Sequence, residues 1–177
     1  MNNVLKVVAL AGFVLFMFRI ETRLDVIQAE VTELNKVVRS AEPVLYTSKD
    51  IDCLTRNIYY EAGVEDRKGK YAVGHITMNR LKTGYWGKDI CSVVYAKNQF
   101  SWTRLKKLPK PDRQVWDESL MIAYDVIKGY RVTGLESSLF YHADYIQDPK
   151  WADRNHKITQ IGRHIFYTKA RGSWLEI

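Results

Sequence analysis

Twelve consecutive apolar residues, VVALAGFVLFMF at positions 7–18, stand between Lys6 and Arg19. A chain carrying such a run must bury it in lipid or in a protein core. As a helix the run reaches only ~18 Å, against ~30 Å of bilayer hydrocarbon. Counting from Val4 to Ile20, with both cations snorkelling, extends it to ~25 Å. No small-x-small cleavage site follows, because Arg19-Ile20-Glu21-Thr22 is a poor one. The expectation is an uncleaved, weakly held signal anchor over residues 1–20; a cleaved signal peptide and a soluble core helix are the competing readings. Lys6 and the amino terminus oppose Arg19 and Arg23, so charge leaves the orientation nearly tied.

A seam begins inside this run and continues past it. Phe13, Met17, Ile20, Leu24, Ile27, Val31, Leu34 and Val38 alternate four- and three-residue steps, with Glu21, Arg23, Asp25, Gln28, Glu30, Glu33 and Lys36 between them. That is the spacing of a helical stalk with one apolar face. The stalk, residues 21–46, forms a weak homodimer or packs on the domain that follows, and Pro43 stops it.

Residues 47–177 read as one domain of mostly helical α+β class. Thr47 or Ser48 caps a helix whose Ile51, Leu54 and Ile58 share a face, and Gly63 ends it. A second helix spans residues 69–81, with Ala72, Val73, Ile76, Thr77 and Leu81 inward. The segment DICSVVYA follows. A third helix runs from Pro111 to Gly129, with Trp116, Leu120, Ala123 and Ile127 on one face. SSLFYHA and KITQIGRHIFYTK are rich in β-branched and aromatic residues around Gly162, which predicts short strands or a hairpin.

The net charge of +7 favours an anionic partner: nucleic acid, phospholipid or an anionic wall polymer. No nucleic-acid-binding motif accompanies it, and the basic run RLKKLPKPDR (104–113) reads as a solvated loop. The two cysteines, Cys53 and Cys91, pair as a disulfide if the domain lies outside the cytoplasm, and are buried thiols if it does not. The four histidines show no metal-ligand spacing, so neither a metal nor a cofactor is expected.

Glu61 draws attention because it continues the apolar stripe of the first domain helix, behind Tyr59 and Tyr60. Desolvation there raises a carboxyl pKa and favours the protonated form that a general acid needs. Taken alone, a glutamate near a helix end is more often solvated surface, and nothing local excludes that. NQFSWT (98–103) places Phe100 and Trp102 among amides and hydroxyls, a composition suited to sugar rings, or else rings that cap the core. LFYHADYIQDPKWA repeats the pattern with Tyr141, His142, Tyr145 and Trp151.

Four blocks in order, CLTRNIYYEAGVEDRKGKYAVGHITMNR, ICSVVYAKNQFSW, SSLFYHADYI and IGRHIFY, resemble the SleB/CwlJ-type cell-wall hydrolases over roughly residues 50–168. The resemblance implies a lysozyme-like, lytic-transglycosylase-like α+β domain that cleaves peptidoglycan glycan strands, with Glu61 as its catalytic glutamate. Candidates for holding the sugars are Gln99, Phe100, Ser101, Trp102, Tyr141 and His142. A single clear glutamate favours lytic transglycosylation over a two-carboxylate hydrolase, since Glu65, Asp66, Asp144 and Asp148 are not obvious partners. The expected setting is the cytoplasmic membrane, with one N-terminal pass and the catalytic domain in the periplasm or otherwise outside the cytoplasm. A phage endolysin of the signal-arrest-release kind fits the marginal anchor. A muramidase or glucosaminidase for wall remodelling, or a non-catalytic wall tether, are the alternatives.

Overall fold

The computed structural model describes the backbone of residues 2–40 and 46–168, with side chains for 15–36 and 46–168. It divides into two units, Met1–Leu45 and Tyr46–Ile177, taken separately. The first is a single helix, α1 (Asn2–Ser40). Leu24, Ile27, Val31 and Leu34 of the expected seam are exposed along it. The side chains of residues 1–14, most of the expected anchor, lie outside the described residues, as does the expected stop at Pro43. Among the described residues no helix is long and apolar enough to cross a membrane.

The second unit opens with α2 (Ser48–Ala62). Thr47, rather than Ser48, caps it: Thr47 Oγ1 accepts from Asp50 N–H and the Asp50 carboxylate accepts from Thr47 N–H, each at 3.1 Å. Cys53, Leu54 and Ile58 form its buried face. α2 ends at Gly63 as expected, and this C-cap glycine keeps right-handed dihedrals (φ −56°).

α3 (Arg67–Thr83) is the central helix, buried continuously from Gly69 to Arg80. Asp66, which reads in the sequence as a turn residue, caps it by accepting from Gly69 N–H at 2.8 Å. Gly84, at φ +68°, closes it with a bond to Leu81 O. Gly74 lets three helices meet. A Cβ there would lie 3.0 Å from Val126, on the helix of residues 113–127, and 3.3 Å from Ile58 of α2.

α4 (Ile90–Val94) is tied to α2 by a disulfide between Cys53 and Cys91, whose Cα atoms are 5.3 Å apart. Closing 38 residues of chain removes about 4 kcal/mol of unfolded-state entropy on the chain-entropy account. In α5 (Arg113–Ile127) the buried face is Ser119, Ile122, Ala123 and Val126. The expected face is therefore rotated by about one residue. Only Ala123 belongs to both, and Trp116 instead packs against Tyr59, ring centroids 5.6 Å apart.

Three short strands complete the unit: β1 (Phe140–Ala143), β2 (Lys157–Ile161) and β3 (His164–Tyr167), antiparallel in the order β1-β3-β2. The β2–β3 hairpin turns at Gly162, φ +55°. Between α5 and β1 the chain runs along α3 and is fastened to it repeatedly. Val132 N–H donates to His75 Nδ1 (3.2 Å). Asn79 Nδ2 donates to Leu135 O (2.7 Å) and Ser138 O (2.9 Å), and Arg80 Nε to Leu139 O (2.8 Å).

These bonds place β1, and so its side chains, in register with α3. Asn79→Leu leaves two buried carbonyls without their donor. It is expected to cost about 2–4 kcal/mol, read as a lower urea midpoint with an unchanged m-value.

Candidate active site

Glu61 sits in the last turn of α2, at the edge of the buried stripe, half-buried. It opens into a cleft of about 520 Å³ whose walls come from α2, α3, the 98–104 turn and the sheet. Tyr141, on β1, donates its hydroxyl to Glu61 Oε2 at 3.1 Å. Burial raises the Glu61 pKa above the ordinary carboxylate value, while the Tyr141 bond and the charge of Arg80 pull it down. Burial and the neighbouring carboxylate push Tyr141 well above the usual phenol range, so it stays a neutral donor.

Arg80 reaches the same cleft from α3 and is 4% exposed. Its guanidinium lies 5.1 Å from the rings of Trp86 and Phe100 and 6.0 Å from Phe140. It makes no ion pair within 4 Å among the described residues, so its charge is felt by Glu61 through space. Such a buried cation is costly unless something compensates it. Here three aromatic faces and one carbonyl surround it. Nothing in the sequence marks Arg80, because an arginine two positions before Lys82 reads as solvent-facing helix.

The structure brings Gln99, Ser101, Tyr141 and His142 to the cleft wall. Phe100 and Trp102 do not reach it. They are 2% and 5% exposed and belong to the core. Trp102 Nε1 donates to Asn57 Oδ1 (3.1 Å), and Asn57 Nδ2 donates to Thr77 Oγ1 (3.0 Å), satisfying buried groups on α2 and α3. Its ring supports Tyr60, stacked at 5.0 Å, and Tyr60 is the aromatic that faces the cleft. Tyr145 and Trp151 add aromatic surface to the cleft lining.

His142 is buried with both ring nitrogens engaged, Nδ1 with Ala143 O and Nε2 with the Tyr167 hydroxyl, each at 3.0 Å. The carbonyl can only accept, so Nδ1 carries a proton, and Nε2 is taken up by the Tyr167 hydroxyl. His142 therefore builds the wall and has no ring nitrogen left for a sugar. His164, also in the wall, packs edge-on against Tyr141 at 5.0 Å and is kept neutral by burial.

Glu61 is the only carboxylate lining this cleft among the described residues. Glu65 accepts from Arg163 N–H (3.0 Å), and Asp144 pairs with Arg163 and Gln160. Asp148 lies 3.9 Å from His142 Nε2. One group elsewhere, Asp50, Asp89 and Cys91, has metal-ligand spacing. Its sulfur is spent in the disulfide, and Asp50 is spent capping α2 and binding Ile90 N–H.

Comparison with known proteins agrees with this architecture. The model of the cell wall hydrolase family matches residues 64–167, beginning just after Glu61. The spore cortex-lytic enzyme of Oceanobacillus iheyensis is 27% identical over 128 residues, 70% of this chain and 43% of that enzyme. That of Bacillus subtilis is 23% identical over 121 residues, 68% and 38% respectively. The chain thus spans less than half the length of these curated relatives. Among solved structures, the catalytic domain of the Bacillus cereus SleB protein superposes with a TM-score of 0.57 at 24% identity, covering 71% of this chain and 94% of that one. The catalytic domain of the germination-specific lytic transglycosylase SleB from Bacillus anthracis gives the same score at 23% identity, covering 71% and 99%. The fold is that of a SleB catalytic domain, mostly helical with a small antiparallel sheet. With the family model spanning more than half its length, the chain belongs to the SleB/CwlJ-type cell wall hydrolases.

Proposed function

We propose that this protein cleaves the glycan strands of peptidoglycan at the β-1,4 bond after N-acetylmuramic acid, as a lytic transglycosylase in which Glu61 acts first as acid and then as base. One observation carries the reading: a single half-buried carboxyl with a raised pKa, hydrogen-bonded by a neutral tyrosine, in a cleft with no second carboxylate among its described lining residues. The protonated Glu61 donates to the glycosidic oxygen. The bond to the anomeric carbon breaks and its electron pair leaves on that oxygen. The carboxylate so formed takes the proton from the muramoyl 6-hydroxyl, whose oxygen closes on the anomeric carbon as a 1,6-anhydro ring. No water is consumed. The substrate's own acetamido oxygen is suited to steady the oxocarbenium-like stage that a second carboxylate serves in a hydrolase.

The supporting groups have separate tasks. Tyr141 holds the carboxyl in one rotamer, and Arg80 favours the carboxylate once the first proton has gone. Gln99 and Ser101 offer hydrogen bonds to sugar hydroxyls; Tyr60, Tyr145 and Trp151 offer ring faces. The Cys53–Cys91 disulfide suits an oxidising compartment, which supports a catalytic domain outside the cytoplasm. Residues 1–20 are our anchor at the cytoplasmic membrane. The ~25 Å reach of Val4 to Ile20 against ~30 Å of hydrocarbon favours an anchor able to let go, as in signal-arrest-release endolysins. Complete resistance to membrane extraction throughout host lysis would contradict release.

Glu61→Gln is expected to slow murein solubilisation by about 10²–10⁴-fold; undiminished solubilisation by this variant would remove Glu61 from the mechanism. The same substitution reports on the pKa. Because burial raises the folded-state pKa above the ordinary carboxylate value, the unfolded chain ionises first as pH rises. Stability is therefore lost between the unfolded and folded pKa values and stays lost above them. Glu61→Gln removes that loss: the variant is expected to be the more stable near pH 7, the difference vanishing below about pH 4, by thermal unfolding across pH.

A further inference from the structure

A second cleft, of about 500 Å³, opens near the start of α3, and none of the chemistry above uses it. Arg67, Lys68 and Tyr71 of α3 line it together with Tyr130, Arg131 and Thr133 of the segment that follows α5. Arg67 and Arg80 stand thirteen residues apart on α3, about 20 Å of helix, so this cleft is distinct from the one holding Glu61.

Its charge is one-sided. Three lining residues are cations and none is a carboxylate. The nearest acids are committed: Glu118 pairs with Lys70 (2.5 Å) and Arg67 (3.4 Å), and Asp125 accepts the Tyr71 hydroxyl. Lys68 and Arg131 form no ion pair among the described residues. Cations in the first turn of a helix oppose its dipole, which favours anions there, so the stability of α3 does not account for Arg67 and Lys68.

The cleft is also aromatic and rigid. Tyr71 and Tyr130 pack at 4.2 Å between centroids, and Tyr130 remains 51% exposed. Arg131 is held by bonds from Nη1 to Val126 O (2.6 Å) and Tyr130 O (2.7 Å). Val132 N–H is fastened to His75, whose pKa burial lowers to about 4, so the imidazole is a neutral acceptor at neutral pH. A ligand entering here has little left to order, which favours affinity.

We infer that this cleft is a second saccharide site that takes a carboxylate-bearing stretch of wall glycan, with carboxylates meeting Arg67, Lys68 and Arg131 and a sugar ring lying on Tyr130. The inference rests on the proposed cleavage of peptidoglycan, the polymer that carries both features. The segment fastened along α3 runs from Tyr130 to Tyr141, the donor to Glu61. A strand gripped at the second cleft is thereby held at a fixed distance from the first.

The test is sedimentation, on ice, of the full-length Glu61→Gln chain with murein sacculi stripped of phosphate polymers. In that background Lys68→Glu and Tyr130→Ala, both at exposed side chains, are each expected to weaken binding at least about fivefold. Amidating the sacculus carboxylates should weaken the parent to the same extent and leave Lys68→Glu unchanged. With Glu61 restored, the same substitutions should slow digestion of sacculi while cleavage of a short soluble murein fragment stays at the parent rate. Undiminished binding by both variants would overturn the site. A loss seen only on sacculi that keep their phosphate polymers would overturn the carboxylate assignment. Murein digestion by Glu61→Gln would overturn the proposed cleavage instead, and binding on ice reads the second cleft independently of it.

Discussion

Eighty residues of chain separate Glu61 from Tyr141, and one 3.1 Å hydrogen bond joins them. The packing of α2, α3 and β1 makes that meeting reproducible. α2 must end where it does, with its stripe buried on α3 and α5, for Glu61 to stand at the edge of the core rather than in water. The 130–139 segment must be fastened along α3 for β1 to start at the right height. Buried polar side chains do this fastening: His75, Asn79 and Arg80 each spend a donor or acceptor on its backbone. Buried backbone groups need such partners, and the need fixes the register more tightly than apolar contact alone.

The electrostatics follow from the same packing. Burial pushes the Glu61 proton affinity up, and Tyr141 and Arg80 hold it back. A group that donates and then accepts a proton within one reaction benefits from that balance, since neither state is overwhelmingly preferred. Arg80 is shielded by three aromatic rings and pairs with no carboxylate among the described residues, so its field reaches the cleft unspent. His164, kept neutral by burial, walls the site without adding charge, and His142 has both ring nitrogens engaged within the wall.

Much of this was legible in the sequence because it is local. The Thr47 cap, the stripe of α2 and the hairpin at Gly162 depend on neighbours within a few positions. Glu61 was visible for the same reason. What depends on distant packing is not readable from neighbours in the sequence. Phe100 and Trp102 looked like sugar platforms because their loop is polar, yet they fill the space beneath Tyr60 and Arg80, and Trp102 satisfies Asn57 from across the core. Apolar side chains nearly encircle α5, and its buried face lies one residue away from the expected one. Ser119 sits in its buried face, with its hydroxyl returned to Val115 O (2.8 Å). Arg80 gives no local sign, since the rings around it, Trp86, Phe100 and Phe140, come from three segments six to sixty residues later.

The central claim is that one carboxyl does the work of two, with no water in the balance. Digesting murein in water enriched in heavy oxygen, then reading the new glycan ends by mass spectrometry, addresses it directly. The account predicts anhydro-muramic ends that carry no solvent oxygen. Reducing ends with one heavy oxygen each would mean that water attacks the anomeric carbon, and would contradict it.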